Sequence, residues 1–256
     1  MIKTDILLKK LAKRFPKRIA KDNHDFVGLM VGKKPLQVQK ILLCLDMDEE
    51  VLPYVKEFRP DIIITHHPFF FGSKAKIMKF LESKRLLNDE LEKLGVTLYS
   101  YHTNFDTGKG GMNDALAEAL GLTDIYAPIK DPMMRIGYLK EEMNVIDFAK
   151  YAKQQFHVDY SLLINKGKEM VKKVGIIGGG GSRSFALAKE EGCDIYISGD
   201  VPHHVRRDVV IQGFNYLDMP HEIEKIFMPT MKKILLDIDD SLEIMIVDHE
   251  KLPIVI

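Results

Sequence analysis

The chain alternates short, unbroken apolar runs with longer amphipathic stretches. Residues 40–46 (K-I-L-L-C-L-D), 60–67 (P-D-I-I-I-T-H-H) and 96–106 (V-T-L-Y-S-Y-H-T-N-F-D) are runs of the first kind. Segments apolar on both faces suit the central strands of a sheet covered by helices. Between them, D-E-E-V-L-P-Y-V-K-E-F places its acids at the positive end of a helix dipole. K-F-L-E-S-K-R-L-L-N-D-E-L-E-K-L-G has apolar residues at helical spacing and stops at Gly95. M-N-D-A-L-A-E-A-L-G stops in the same way at Gly121. The first half therefore reads βαβαβα, which predicts an α/β layer structure.

Residues 127–135 (A-P-I-K-D-P-M-M-R) are rich in turn formers and read as a junction. A second α/β run follows it. Two strands, D-Y-S-L-L-I and K-K-V-G-I-I, lead to G-G-G-G-S, a helix and the strand D-I-Y-I-S-G-D. The halves echo each other: Asp61-Ile-Ile-Ile-Thr and Asp194-Ile-Tyr-Ile-Ser share the form D-I-x-I-[ST]. The expected fold is two related α/β lobes with mixed sheets covered by helices, facing one cleft. Residues 1–126 plus 230–256 make the first lobe and residues 127–229 the second. The last segment, 241–256, carries the strand L-E-I-M-I-V and returns to the first lobe, since no partner strands remain beside it.

Composition narrows the class. The 256 residues are 46% apolar, enough for a full core. The 37 basic and 37 acidic side chains cancel, which argues against a nucleic-acid partner. No run approaches the roughly 18 apolar residues of a membrane helix. The N-terminal M-I-K-T-D-I-L-L-K-K-L-A-K-R-F-P is an amphipathic helix whose lysines interrupt any signal-peptide pattern. Cys44 and Cys193, each in an apolar run, read as buried thiols of a cytoplasmic protein.

Several of the nine histidines fall at or after strand ends, where open α/β sheets place their ligands. His66 and His67 follow one strand. His102 and Asp106 close another. His221 follows N-Y-L-D-M-P, with Glu222 and Glu224 close behind. Imidazoles and carboxylates together form the ligand set of zinc, manganese, iron and similar ions. Adjacent strand residues point to opposite faces. His66 and His67 can serve one site only if the chain turns there, which Pro68 supports. Three such clusters, distant in sequence, point to a metal site.

Several stretches resemble the dinuclear-metal-centre hexameric family, known as GTP cyclohydrolase 1 type 2 homologues and as NGG-interacting-factor-like proteins. They are I-I-I-T-H-H-P-F-F-F, Y-S-Y-H-T-N-F-D-T-G-K-G-G-M-N-D-A-L-A-E-A-L-G-L and I-S-G-D-V-P-H-H. D-F-V-G-L-M-V-G resembles the family's D-N-x-G-L-x-x-G, with Phe26 where asparagine is usual. The resemblance covers almost the whole chain in its short form, without the inserted domain of longer members. It implies two α/β lobes, a toroidal homohexamer and two divalent metal ions per chain in a cleft between the lobes. The metal is zinc, iron, manganese or nickel. Carried onto this chain, the ligands are His66, His67, Asp106, His221 and a carboxylate just after His221, with His102 as ligand or close neighbour. Family members have a glutamate three or four positions after that histidine. Lys225 stands at the fourth, so Glu224 at the third is favoured over Glu222.

The remaining motifs surround this set. Gly178-Gly179-Gly180-Gly181-Ser182 lies between a strand and a helix, where Gly179, Gly180 and Ser182 would offer an anion their backbone N–H groups. Asp200, His204 and Asn104 suit the orienting of ligands or substrate better than direct ligation. Two divalent ions activate water for hydrolysis. The resemblance thus implies a hydrolase of a small, nucleotide-like substrate, GTP cyclohydrolase in type. The alternative is a non-catalytic metal carrier, or a hexameric scaffold with regulatory partners.

Overall fold

A computed structural model describes residues 1–254. Contacts divide the chain into two units. One is Met1–Gly111 with Phe227–Glu250; the other is Met112–Ile226 with the C-terminal residues from Lys251. Strands are numbered along the chain.

The first unit holds β1 (Ile2–Lys3), β2 (Gly28–Val31), β3 (Gln37–Val38), β4 (Lys40–Cys44), β5 (Ile62–Thr65), β6 (Thr97–Ser100) and β13 (Glu243–Ile246). Its main sheet runs β13-β4-β5-β6-β2. The first four are parallel, and β2 closes the edge antiparallel to β6. Ile41, Leu42, Leu43, Ile62, Ile63, Ile64 and Leu98 are fully buried, as strands covered on both faces require. Leu87 and Leu91 of helix Glu82–Lys93 and Val55 of helix Leu52–Phe58 pack on this sheet.

The second unit holds β7 (Thr123–Tyr126), β8 (Arg135–Asn144), β9 (Leu162–Ile164), β10 (Met170–Ile176), β11 (Ile195–Ser198) and β12 (Asn215–Asp218). The sheet order is β7-β8-β10-β11-β12-β9, with β10, β11 and β12 parallel and the other pairings antiparallel. Both sheets are mixed, as the sequence implied.

The division falls at Gly111, not at residue 126. Strand β7 pairs antiparallel with β8, so residues 127–135 form a connection inside one sheet and not a junction between lobes. Helix Met112–Ala119 packs on β8 and β10 and goes with them. The return to the first unit comes at Phe227, the first residue of helix Phe227–Ile238, three residues before the expected 230.

The two sheets are built alike. Each contains three parallel strands in sequence order, β4-β5-β6 and β10-β11-β12, with an antiparallel edge strand that precedes those three in sequence: β2 beside β6, β9 beside β12. The repeated D-I-x-I-[ST] has a physical cause. Asp61 Oδ2 accepts the Gln39 and Lys40 N–H groups at 2.7 and 2.9 Å. Asp194 Oδ2 accepts those of Lys172 and Lys173 at 3.0 and 2.8 Å. Each aspartate thus locks the start of a central strand to its neighbour. The hydroxyl at the other end bonds the next strand: Thr65 Oγ1 to Ser100 Oγ at 2.7 Å, and Ser198 Oγ to the Tyr216 hydroxyl.

Candidate metal-binding residues

In the first unit the donors gather beyond the carboxyl ends of β5 and β6. The His66 and His67 N–H groups both donate to the Leu45 carbonyl, at 3.1 and 3.0 Å. The Thr65 hydroxyl donates to the His67 carbonyl at 2.8 Å. This turn breaks the alternation that would send adjacent imidazoles to opposite faces. Their ring centres lie 5.0 Å apart. After β6 the chain enters the short helix Thr103–Thr107, with His102 as its N-terminal flank. The His102 ring lies 5.1 Å from His66 and 5.8 Å from His67. Asp106, expected on an extended run, sits on this helical turn, its Oδ1 3.5 Å from His66 Nε2.

All three imidazoles are anchored through Nδ1. His66 bonds the Tyr101 carbonyl at 2.9 Å, His67 bonds Asp46 at 2.5 Å and His102 bonds Asp25 at 2.7 Å. Anchoring one ring nitrogen fixes tautomer and orientation and makes Nε2 the ligating atom. His66, His67 and His102 each offer a donor atom within 4.8 Å of the others. His66 is fully buried. Burial opposes ionisation of Asp25, but His102, the Thr103 hydroxyl and the Phe26 N–H hold its carboxyl below the ordinary value. Asp46 is likewise opposed by burial and held low by His67. Asn104 works through the backbone: its Oδ1 accepts the His102 N–H at 3.1 Å and its Nδ2 donates to the Phe15 carbonyl at 2.9 Å.

Asp25 and Asp46 are the residues that sequence reasoning missed. Each had a signal. Asp46 closes the apolar run K-I-L-L-C-L-D, and Asp25 opens D-F-V-G-L-M-V-G. A carboxylate at a strand end, on the same sheet edge as the histidines, is a natural imidazole anchor.

In the second unit the donors are His221 and Glu224. The segment His221–Ile226 is a 3₁₀-helix, in which side chains three apart eclipse. Glu224 Oε2 accordingly lies 3.0 Å from His221 Nε2. Glu224 is buried, whereas Glu222 lines a cavity beside the pair, so the geometry favours Glu224 as the donor. His221 Nδ1 bonds Asp200 at 2.5 Å, repeating the anchoring of the first unit. Asp200 holds a left-handed φ of +53°, a strained conformation for a non-glycine residue. The Glu224 carboxylate, opposed by burial and aided by Asp200, pushes the His221 imidazole up to about 9.

The glycine run has a packing role. Gly179 has φ +60°, and a Cβ there would lie 2.1 Å from Glu224 Oε1. Its carbonyl accepts the Gly199 and Gly181 N–H groups at 2.7 and 2.9 Å. Ser182 is buried at the start of the 3₁₀ turn Ser182–Ser184. A Cβ on Gly180 would point toward Asp200 Oδ2, 3.9 Å away. With Glu224 and Asp200 alongside, an anion at Gly179, Gly180 and Ser182 would face two carboxylates. His204 lies exposed on helix His203–Ile211 and is not among the clustered donor groups.

The donors fit a divalent ion on their chemistry. Imidazole nitrogens with carbonyl or carboxylate anchors, joined by the carboxylates Asp106 and Glu224, are the mixed set used by zinc, iron, manganese and nickel. Cys44, at the end of β4, and Cys193, in the loop before β11, are buried free thiols and take no part.

Two mixed α/β units, the first with three anchored imidazoles and the second with one, each set beside a carboxylate, define a protein with candidate metal-donor groups. The chain belongs to the Duf34/NIF3 (NGG1p interacting factor 3) family, whose sequence profile matches residues 2–253. It is 36% identical over 208 residues to a GTP cyclohydrolase 1 type 2 homolog of Clostridium perfringens, covering 78% of this chain and 79% of that one. It is 32% identical over 218 residues to the protein of the same name in Lactococcus lactis, covering 83% of each. Reduced HcgD from Methanocaldococcus jannaschii superposes with a TM-score of 0.79 at 27% identity over 96% of this chain and 97% of that one. A Bacillus cereus protein related to NIF3 shares the fold, with a TM-score of 0.87 at 22% identity over 99% of both chains. Among the described residues no helix is long and apolar enough to cross a membrane.

Proposed function

We propose that the chain is a divalent-metal-dependent hydrolase. Two ions per chain would be held by His66, His67, Asp106, His221 and Glu224, with His102 as a further donor. The observation that carries this reading is the common anchoring of four histidines. Nδ1 of His66, His67, His102 and His221 each meets a carbonyl or carboxylate oxygen at 2.5 to 2.9 Å. Metal-ligating histidines almost always carry such an anchor on the ring nitrogen that does not ligate, and here it recurs at four rings near candidate carboxylate donors.

Divalent ions supply Lewis-acid activation of water. The chain's own groups do the rest. Asp25, Asp46 and Asp200 orient the imidazoles. Glu224 Oε2 lies 3.0 Å from His221 Nε2, a nitrogen that must be free of a proton to ligate. The relatives named GTP cyclohydrolase 1 type 2 homolog support a nucleotide-like substrate and a hydrolysis of that type. Family membership likewise supports a homohexamer, and the buried free thiols support a cytoplasmic protein.

The test is metal content per chain, then turnover of GTP with each of zinc, iron, manganese and nickel. Near two ions in wild type, with turnover lost in His67→Ala, is the expected result. Near zero ions after metal is added back would sink the reading. Bound metal without turnover of any nucleotide would leave a metal carrier or scaffold.

A further inference from the structure

The second unit contains a cavity of about 350 Å³ that the donor residues only border. It opens beyond the carboxyl ends of β11 and β12, the position where α/β sheets take ligands. Tyr160, Asp200, Arg206, Asp218, His221 and Glu222 are in its wall. Its size is at the small end of ligand pockets, which run roughly 300–1,000 Å³. That suits a single fused heterocycle better than a whole nucleotide.

The polar lining is constructed from both hydrogen-bonding senses. Asp218 is 11% exposed and Arg206 43% exposed, with Asp218 Oδ2 accepting from Arg206 Nη2 at 2.8 Å. The two side chains thus hold each other in place in the cavity wall. Asp218 ends strand β12 and Arg206 lies on helix His203–Ile211, so rigid elements hold both. Asp200, whose backbone is strained, is tied to His221 and cannot swing away freely. The wall thus offers carboxylate and phenol acceptors beside one guanidinium donor. An anion would meet three carboxylates, and a simple cation would leave Arg206 unused. A ring with amino and N–H donors next to a carbonyl uses both senses.

We propose that this cavity is a base-recognition subsite for an amino-substituted nitrogen heterocycle with an adjacent ring carbonyl. Asp218 and Tyr160 receive its N–H groups and Arg206 meets its carbonyl oxygen. The inference rests on the hydrolase reading for its context, but its binding step needs no turnover.

The experiment is calorimetric titration of the metal-loaded full-length protein with guanosine, inosine and adenosine. Guanosine should bind at least tenfold tighter than adenosine, with inosine between them because it lacks the amino group. Asp218→Asn and Tyr160→Phe should each weaken guanosine severalfold, and Arg206→Met should erase the preference over adenosine. Metal content should be unchanged in all three. Tyr160→Phe removes one hydroxyl and keeps the fold testable should Asp218→Asn fail to fold. Equal binding of guanosine and adenosine would overturn the subsite, as would guanosine affinity untouched by Tyr160→Phe and Arg206→Met. Putrescine binding as well as guanosine would show that the carboxylates merely attract cations, and would also overturn it. Guanosine selectivity without GTP turnover would sink the hydrolase reading alone. GTP turnover at wild-type KM in Arg206→Met would sink the subsite alone.

Discussion

Glu224 Oε2 sits 3.0 Å from His221 Nε2 because the three residues per turn of a 3₁₀-helix stack position 224 over position 221. The family's usual spacing allows a glutamate four positions on, which Lys225 occupies here. Glu224→Ala should therefore remove the carboxylate donor outright and lower bound metal. Glu222→Ala should leave metal content at the wild-type level. Elemental analysis of both variants decides between the two carboxylates.

Gly179 is the reason this pair can form. Its φ is +60°, and an added Cβ would overlap Glu224 Oε1. A left-handed non-glycine residue alone costs about 1–2 kcal/mol. Gly179→Ala should lower stability by at least that much in thermal unfolding and release metal as Glu224 is displaced. Gly180→Ala is the control, since its Cβ would find Asp200 Oδ2 no closer than 3.9 Å. It should bind metal normally.

Asp46 never needs to touch a metal to matter. Its carboxylate holds His67 through Nδ1 at 2.5 Å. Loss of such an anchor costs roughly 10–100-fold in metal affinity. Asp46→Asn should show that loss in competition against a chelator, with ion number recovered at high metal. His67→Ala should lose an ion that excess metal does not restore.

Asp194 supplies an acid-sensitive lock in the second unit. Burial opposes its ionisation, but Lys168 and the Lys173 and Lys172 N–H groups hold its carboxyl below the usual 3.8. A carboxyl lowered on folding stabilises above its unfolded value. That stability is lost as pH falls through the folded value. Lys168 is 73% exposed, so the ion pair itself counts for little and the backbone bonds carry the effect. Asp194→Asn should cost about 1–3 kcal/mol at pH 7. The deficit should shrink in chemical unfolding as pH falls below 3.8 and through the lowered folded value.

Both thiols should be silent in the native state. Burial raises the Cys44 thiol well above its ordinary value and pushes Cys193 up to about 12. A thiol reagent at pH 8 should modify neither until denaturant is added, because the thiolate is the reactive form. Fast labelling of either would contradict the buried placement.

Much of the architecture was legible in the chain. Apolar runs buried on both faces marked β4, β5, β6 and β11. The D-I-x-I-[ST] repeat marked the two sheets as related, and the structure shows its aspartates making the same pair of backbone bonds. The boundary at Gly111 was not legible. Residues 127–135 look like a linker by composition, yet β7 on one side pairs with β8 on the other, and strand pairing leaves no local trace.

Local sequence determined which groups could ligate: His66, His67, His102 and His221 are placed by strand ends, and strand ends are written in hydrophobic pattern. It also limited the late carboxylate to Glu222 or Glu224. Only the tertiary structure decided how those groups are held. The shared Leu45 carbonyl turns His66 and His67 toward each other. Asp25, 77 positions from His102, Asp46, 21 from His67, and Asp200, 21 from His221, anchor rings they do not neighbour in the chain. Periodicity reports which face a residue takes. Hydrogen bonds between distant loops depend on where parallel strands bring those loops, and that is a property of the folded sheet.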